Sequence, residues 1–138
     1  MTAPPSGHAT GRHRGRAVVA VVFALFAVNA LAQVALVPFG RVNDPRPLTM
    51  LQLVIGVVAL GAAWGSWTGA RWSPAAAALY GVVTGGMIAS LPWLLSLPAE
   101  ARGGLAVGGA GVLLFSLALA WYLRRTLAAT GARPATTR

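Results

Sequence analysis

The sequence predicts an all-α integral membrane protein, an antiparallel four-helix transmembrane bundle with disordered basic tails. Charged residues make up only 9% of the chain and hydrophobic residues 57%, whereas a soluble domain carries about 25% charged residues. All charges also lie outside four stretches without Asp, Glu, Lys, Arg or His, namely Ala17–Phe39, Leu48–Ala70, Ser73–Leu97 and Gly103–Leu123. At about 1.5 Å per helical residue, each stretch can cross the roughly 30 Å hydrocarbon core of a bilayer.

The domain organisation follows from these stretches. Pro38 and Pro98 end the first and third spans, because proline lacks the N–H that continues a helix. Ser73 followed by Pro74 predicts the start of the third span, with serine as the N-cap. The transmembrane domain covers residues 17–125, with spans at about 17–39, 48–70, 73–97 and 103–123, and the polar residues 1–16 and 126–138 are predicted to be disordered tails.

The arginines predict that both termini are cytoplasmic. With the N-terminus inside, the cytoplasmic side holds eight arginines and the outer side three, as the positive-inside rule requires. The inner set is Arg12, Arg14, Arg16, Arg71, Arg124, Arg125, Arg133 and Arg138, and the outer set is Arg41, Arg46 and Arg102. The net charge of +9 therefore reflects topology and not nucleic-acid binding. A composition without lysine and rich in Ala, Gly and Pro is typical of a GC-rich bacterial genome, so we expect a bacterial inner membrane.

A secretory signal peptide is a competing interpretation of the first span. Basic residues, an apolar run and then Ala30-Leu31-Ala32 resemble a signal with a cleavage site. The apolar run continues through Val34–Phe39, however, which gives a full span instead of the short run of a signal. Cleavage after Ala32 would leave three spans.

Small residues recur at every fourth position in three of the predicted helices. Such ridges let helix backbones approach closely in lipid, where hydrophobicity contributes little to helix association. We expect at least two ridges to pack within the monomer and leave the third open as a subunit interface. The ridges are Gly61, Gly65 and Gly69 in the second helix, Ala77, Gly81, Gly85 and Ala89 in the third, and Gly104 and Gly108 in the fourth.

Amide side chains form a candidate intramembrane polar cluster. Asn29 and Gln33 are four residues apart and share a face of the first helix, and Gln52 lies at a similar depth in the second. Pro92 leaves the carbonyl of Ile88 without its usual helical donor. We expect Gln33 and Gln52 to bond each other or this carbonyl, either as interhelical polar contacts or as the lining of a pocket for a neutral ligand.

No pattern in the sequence predicts catalysis, a cofactor or a metal site. The chain has no cysteine, and no zinc, nucleophile-elbow or phosphate-loop motif occurs. The only acids, Asp44 and Glu100, fall in predicted outer loops, and His8 and His13 fall in the N-terminal tail. We therefore expect a protein that is not an enzyme.

Two functions remain open from the sequence. The preferred one is a non-catalytic multi-pass protein that acts through helix–helix contacts with another membrane protein or with itself, as an accessory, assembly or self-associating subunit. The alternative is a small dimeric transporter or channel for a neutral or hydrophobic solute. The length and span count resemble the architecture of the small multidrug transporters, but that family depends on a glutamate in its first helix, and Ala17–Phe39 contains none.

Overall fold

The structure, a computed structural model, describes residues 8–36, 46–96 and 98–131, and this part of the chain is all-helical. Four helices in it are long and apolar enough to cross a membrane, which confirms the predicted all-helical class and the predicted number of candidate spans. The helices are α1 (His8–Leu36), α2 (Arg46–Thr68), α3 (Ser73–Leu94) and α4 (Ala99–Gly131).

Three helices extend beyond the uncharged stretches: α2 begins at Arg46, and α4 begins at Ala99, so that Glu100 lies in its first turn and not in a loop as predicted. Residues 8–16 continue α1 and residues 126–131 continue α4, although both segments were predicted to be tails. Extending a helix that has already formed costs little, because each added residue brings one more backbone hydrogen bond. Alanine, which occurs in both extensions, is also a strong helix former, as are the arginines of residues 8–16 and Leu127. Predictions for residues 1–7, 37–45 and 132–138 lie outside the described residues.

The turn between α2 and α3 is tight. Gly69 has a φ of +71°, a left-handed conformation that glycine adopts without steric cost. The N–H of Ala70 then donates to the carbonyl of Gly65 at 2.9 Å, the bond that characterises a glycine-terminated helix end. Trp72, and not Ser73 as predicted, holds the N-cap position of α3. Trp72 is already in the right-handed helical region, with φ −85° and ψ −9°, so the helix starts with Ser73 as its first residue, and the buried Ser73 hydroxyl has no hydrogen-bond partner in the described part of the chain.

The four helices form an open bundle. α3 packs most extensively against α4, α1 packs against α2, and α2 joins the two pairs by contacting α3. α1 and α4 touch only slightly, so the bundle does not close on that side. The core is rich in alanine, with Ala59, Ala62 and Ala77 fully buried, and these small side chains allow the helix backbones to approach closely.

Aromatic side chains connect α1 to α3. The Phe23 ring meets the Tyr80 ring edge-on, with centroids 5.3 Å apart, and the Phe26 ring stacks on Tyr80 at 5.6 Å. Both arrangements are favoured by the quadrupoles of the rings. Phe23 is fully buried, which makes it the largest side chain that α1 contributes to the core.

Candidate intramembrane polar site and helix-packing surfaces

Gln33 and Gln52 form a direct pair between α1 and α2. The Nε2 of Gln52 donates to the Oε1 of Gln33 at 2.8 Å, and the bond is partly buried. Gln33 lies in the last turn of α1 and Gln52 in the second turn of α2, as their expected equal depth requires. An amide that faces hydrocarbon without a partner is costly. The pair therefore satisfies one donor and one acceptor that would be costly to leave unpaired in hydrocarbon.

The other two members of the predicted cluster lie apart from this pair. Asn29 is exposed on α1, and no hydrogen bond of its side chain occurs among the described residues. Pro92 is buried within α3, but neither glutamine amide reaches the Ile88 carbonyl beside it. The glutamines have bonded each other, so the expected contact with that carbonyl is absent.

Two glycines of the α3 ridge contact α4 directly. A Cβ on Gly81 would lie 2.5 Å from the Cβ of Ser116, and one on Gly85 would lie 2.8 Å from the carbonyl oxygen of Gly109. Such distances leave no room for a side chain. The approach is mutual, since a Cβ on Gly109 would lie 2.6 Å from the Gly85 carbonyl oxygen. The expected α3 ridge thus packs within the monomer, against Gly109 and Ser116.

The predicted ridge of α4 does not take part in this contact. Gly104 and Gly108 are exposed, with no atom within 4 Å of a Cβ on Gly104 and only a side-chain carbon of Ile88 at 3.9 Å from one on Gly108. The α4 glycine that contacts α3 is instead Gly109, which was not predicted from the sequence. Its spacing of seven residues from Ser116 is the signal that could have identified it, because residues seven apart share a helix face.

The α2 ridge divides into three different roles. A Cβ on Gly65 would lie 2.9 Å from the Trp72 ring, so this glycine packs against the α2–α3 turn. Gly69 ends the helix, and Gly61 has nothing within 4 Å of a Cβ position. The close contact between α1 and α2 instead uses Gly56, where a Cβ would lie 2.8 Å from the Leu31 side chain.

Arg16 joins α1 to the C-terminal end of α2. Its Nε donates to the carbonyl of Ser66 at 3.4 Å, and its Nη2 donates to the carbonyl of Trp67 at 3.5 Å. These carbonyls belong to the last turn of α2, which has no helical donors for them. A cation at this position also compensates the negative end of the helix dipole. Arg16, the last basic residue before the predicted first span, thus takes part in the packing of α1 against α2.

Within residues 8–36, 46–96 and 98–131, no three His, Asp or Glu side chains lie close enough together to hold a metal ion. No protein-family model matches the chain, and no similar protein is found among curated sequences or solved structures. The functional interpretation therefore depends on the geometry alone.

Proposed function

We propose that the four helices cross the cell membrane as an antiparallel bundle, with both termini in the cytoplasm of a bacterial cell. The α3–α4 contacts support the antiparallel order, because Gly81 meets Ser116 whereas Gly85, further along α3, meets the earlier Gly109. Arginine supports the orientation, since eight of the eleven lie on the proposed inner side.

Within that membrane, we propose a non-catalytic subunit that acts through helix–helix contacts, with a second copy of itself or with another membrane protein. The exposed amide of Asn29 is the observation that carries this proposal. Asn29 lies within the candidate span His13–Leu36 and near the middle of the uncharged stretch Ala17–Phe39, where no water is available to bond it. Helices in lipid associate through such amides, with a contribution of about 1–2 kcal/mol in model peptides.

The exposed surface of α4 supports the same proposal. α4 is the least buried of the four candidate spans, because only 11% of its most apolar segment is buried. Its Gly104 and Gly108 lie on the surface, so a helix of another subunit can approach the α4 backbone there. A monomer that satisfied all its packing internally would direct these glycines inward.

The Gln33–Gln52 bond favours helix packing over solute transport. A pocket for a neutral solute needs amide groups that are free to bind it. Here the donor of Gln52 is directed at the acceptor of Gln33 at 2.8 Å, so the pair acts as an interhelical contact. The transporter alternative would require this bond to open.

The test is the association of Asn29→Leu in mild detergent, with Val28→Leu as the matched control. Val28 is the adjacent residue and 66% exposed, so its substitution changes the exposed surface of the same helical turn without removing an amide. We expect Asn29→Leu to weaken subunit association about 5–30-fold, as a loss of 1–2 kcal/mol implies, and Val28→Leu to leave it unchanged. Association is measured by energy transfer between labelled copies and by mass spectrometry of co-purified subunits.

Gln33→Leu provides the second control. It removes an internal amide, so it should lower stability while association is retained. A wild-type protein that purifies as a monomer, without a stoichiometric partner, would contradict the proposal. Equal association of Asn29→Leu and wild type would remove Asn29 from it.

A further inference from the structure

An apolar groove runs between α1 and α2 and continues into a basic mouth. The groove has a volume of about 680 Å³, and Ala20, Val21 and Ala24 of α1 face Leu60, Gly61 and Trp64 of α2 across it. Trp67 lines both the groove and the adjoining mouth, which has a volume of about 410 Å³ and is formed with His13, Arg14 and Arg16. One continuous surface thus changes from hydrocarbon-like to cationic.

The order of the apolar and basic parts of this surface matches the order of the layers in one membrane leaflet. The groove follows α1 from Ala20 to Ala24, and the mouth follows it from Ala17 to His13, each a rise of about 6 Å. Trp67, at their junction, is 65% exposed, and tryptophan favours the depth of lipid headgroups. The apolar part therefore lies at the level of acyl chains and the basic part at the level of phosphates.

The positive charge of the mouth has no acidic counterpart among the described residues near it. The only acids of the chain are Asp44 and Glu100. Asp44 lies outside the described residues, and Glu100 is 22 residues, or about 33 Å of helix, from Tyr122, the α4 residue that contacts Gly15 near the mouth. No carboxylate of the described residues therefore compensates Arg14 and Arg16, which leaves them available to an external anion.

Arg16 is held in place before any ligand binds. Its Nε and one Nη bond the Ser66 and Trp67 carbonyls, which leaves other donors of the guanidinium for a further acceptor. Arg14 is exposed beside it. Two guanidinium groups at the mouth of an apolar groove match a phosphodiester whose acyl chain lies in the groove.

We propose that this surface binds one anionic glycerophospholipid from the leaflet at the arginine-rich end of the bundle. The phosphate is bound by Arg14 and Arg16, and one acyl chain lies along Gly61. The proposal rests on the proposed insertion in the membrane but not on the proposed subunit association, because the groove and Asn29 are different surfaces.

Gly61→Leu tests the groove and Gly86→Leu is its control. A Cβ at either glycine has no atom within 4 Å, so both variants should fold, but only the first fills the groove. Lipid binding to the full chain is measured by native mass spectrometry, with phosphatidylglycerol and phosphatidylcholine of the same acyl chains as probes. We expect at least tenfold preference of the wild type for phosphatidylglycerol, a tenfold loss in Gly61→Leu and no loss in Gly86→Leu. Val21→Phe, on the opposite wall, should repeat the loss.

Arg14→Gln tests the mouth and Arg124→Gln is its control. Each variant removes one exposed charge, but only Arg14 lines the mouth. We expect Arg14→Gln to reduce the preference for phosphatidylglycerol about fivefold and Arg124→Gln to leave it intact. Inorganic phosphate should not displace the bound lipid.

Equal binding of the two lipids, or unchanged binding in both Gly61→Leu and Val21→Phe, would overturn the proposal. Displacement by inorganic phosphate alone would also overturn it, because it would indicate a simple anion site. Unchanged lipid binding in Asn29→Leu is expected whether or not that variant loses association.

Discussion

The α3–α4 contact makes a sharp prediction, because two adjacent glycines of α3 have opposite surroundings. A Cβ on Gly85 would lie 2.8 Å from the carbonyl oxygen of Gly109, whereas a Cβ on Gly86 has no atom within 4 Å. Favourable carbon–oxygen contacts lie at about 3.3–3.6 Å. Gly85→Ala therefore forces the two backbones apart by roughly 0.5 Å or more, and Gly86→Ala forces nothing.

The two variants share every effect except this clash. Replacing a helical glycine by alanine stabilises the helix by about 1 kcal/mol, and this gain applies equally to both positions of α3. Overpacking a close contact costs about 1–3 kcal/mol. We expect Gly86→Ala to be about 1 kcal/mol more stable than wild type and Gly85→Ala to be about 1–3 kcal/mol less stable than Gly86→Ala.

Reversible unfolding from mild detergent by a denaturing detergent, followed by circular dichroism, measures this difference. Both proteins are compared at the same protein and detergent concentrations, so the difference between variants is obtained directly. If Gly85→Ala gains as much stability as Gly86→Ala, within about 0.5 kcal/mol, the helices do not meet at Gly85 and the packing described for α3 and α4 is wrong.

Three further predictions concern the rest of the bundle. A double-mutant cycle of Gln33→Leu and Gln52→Leu should give a coupling of about 0.6 kcal/mol, and zero coupling would show that the amides do not bond in the membrane. Gly65→Leu should be about 1–3 kcal/mol less stable than Val57→Leu, because a Cβ on Gly65 would lie 2.9 Å from the Trp72 ring whereas Val57 is 56% exposed. Equal thermal stability of the two variants would contradict the contact between Gly65 and Trp72. Any solute flux through the protein should change less than tenfold between about pH 5.5 and 8, because the four uncharged stretches contain no group that titrates there, and a larger change with intact folding would assign transport to residues outside them.

The helices were predictable because few structures satisfy a backbone in lipid. Uncharged stretches of this length identify four helices, and α1 and α3 end before the prolines at 38 and 98. The N-terminal end of α1 and the C-terminal end of α4 were not predictable from hydropathy, since a helix continues past its apolar part until a helix-breaking residue ends it. This is why α1 begins at His8 and α4 continues to Gly131.

The amide pair was predictable and the position of Asn29 was not. Gln33 and Gln52 flank one short loop, which sets them at equal depth. Asn29 precedes Gln33 by four residues, and at 3.6 residues per turn this spacing rotates the side chain by about 40°. A rotation of that size is enough to move a side chain from the edge of a contact to the surface.

The glycines of α4 show a further limit of sequence patterns. Gly104 and Gly108 have the spacing of a ridge, but Gly109 lies next to them, and about 100° of rotation separates Gly108 from Gly109. Periodicity alone does not say which of these faces meets α3. The surface of α3 decides the contact, because Gly81 packs against Ser116 and Gly85 packs against Gly109.

The transmembrane topology is the central claim, and cysteine accessibility tests it most directly. The chain contains no cysteine, so single substitutions at Arg71, in the α2–α3 turn, and at Glu100, in the first turn of α4, report one position each; both residues are exposed. We expect a membrane-impermeant maleimide to label Glu100→Cys in intact cells and Arg71→Cys only after permeabilisation. Labelling of both positions from outside, or of Arg71→Cys alone, would contradict the four-span arrangement with cytoplasmic termini.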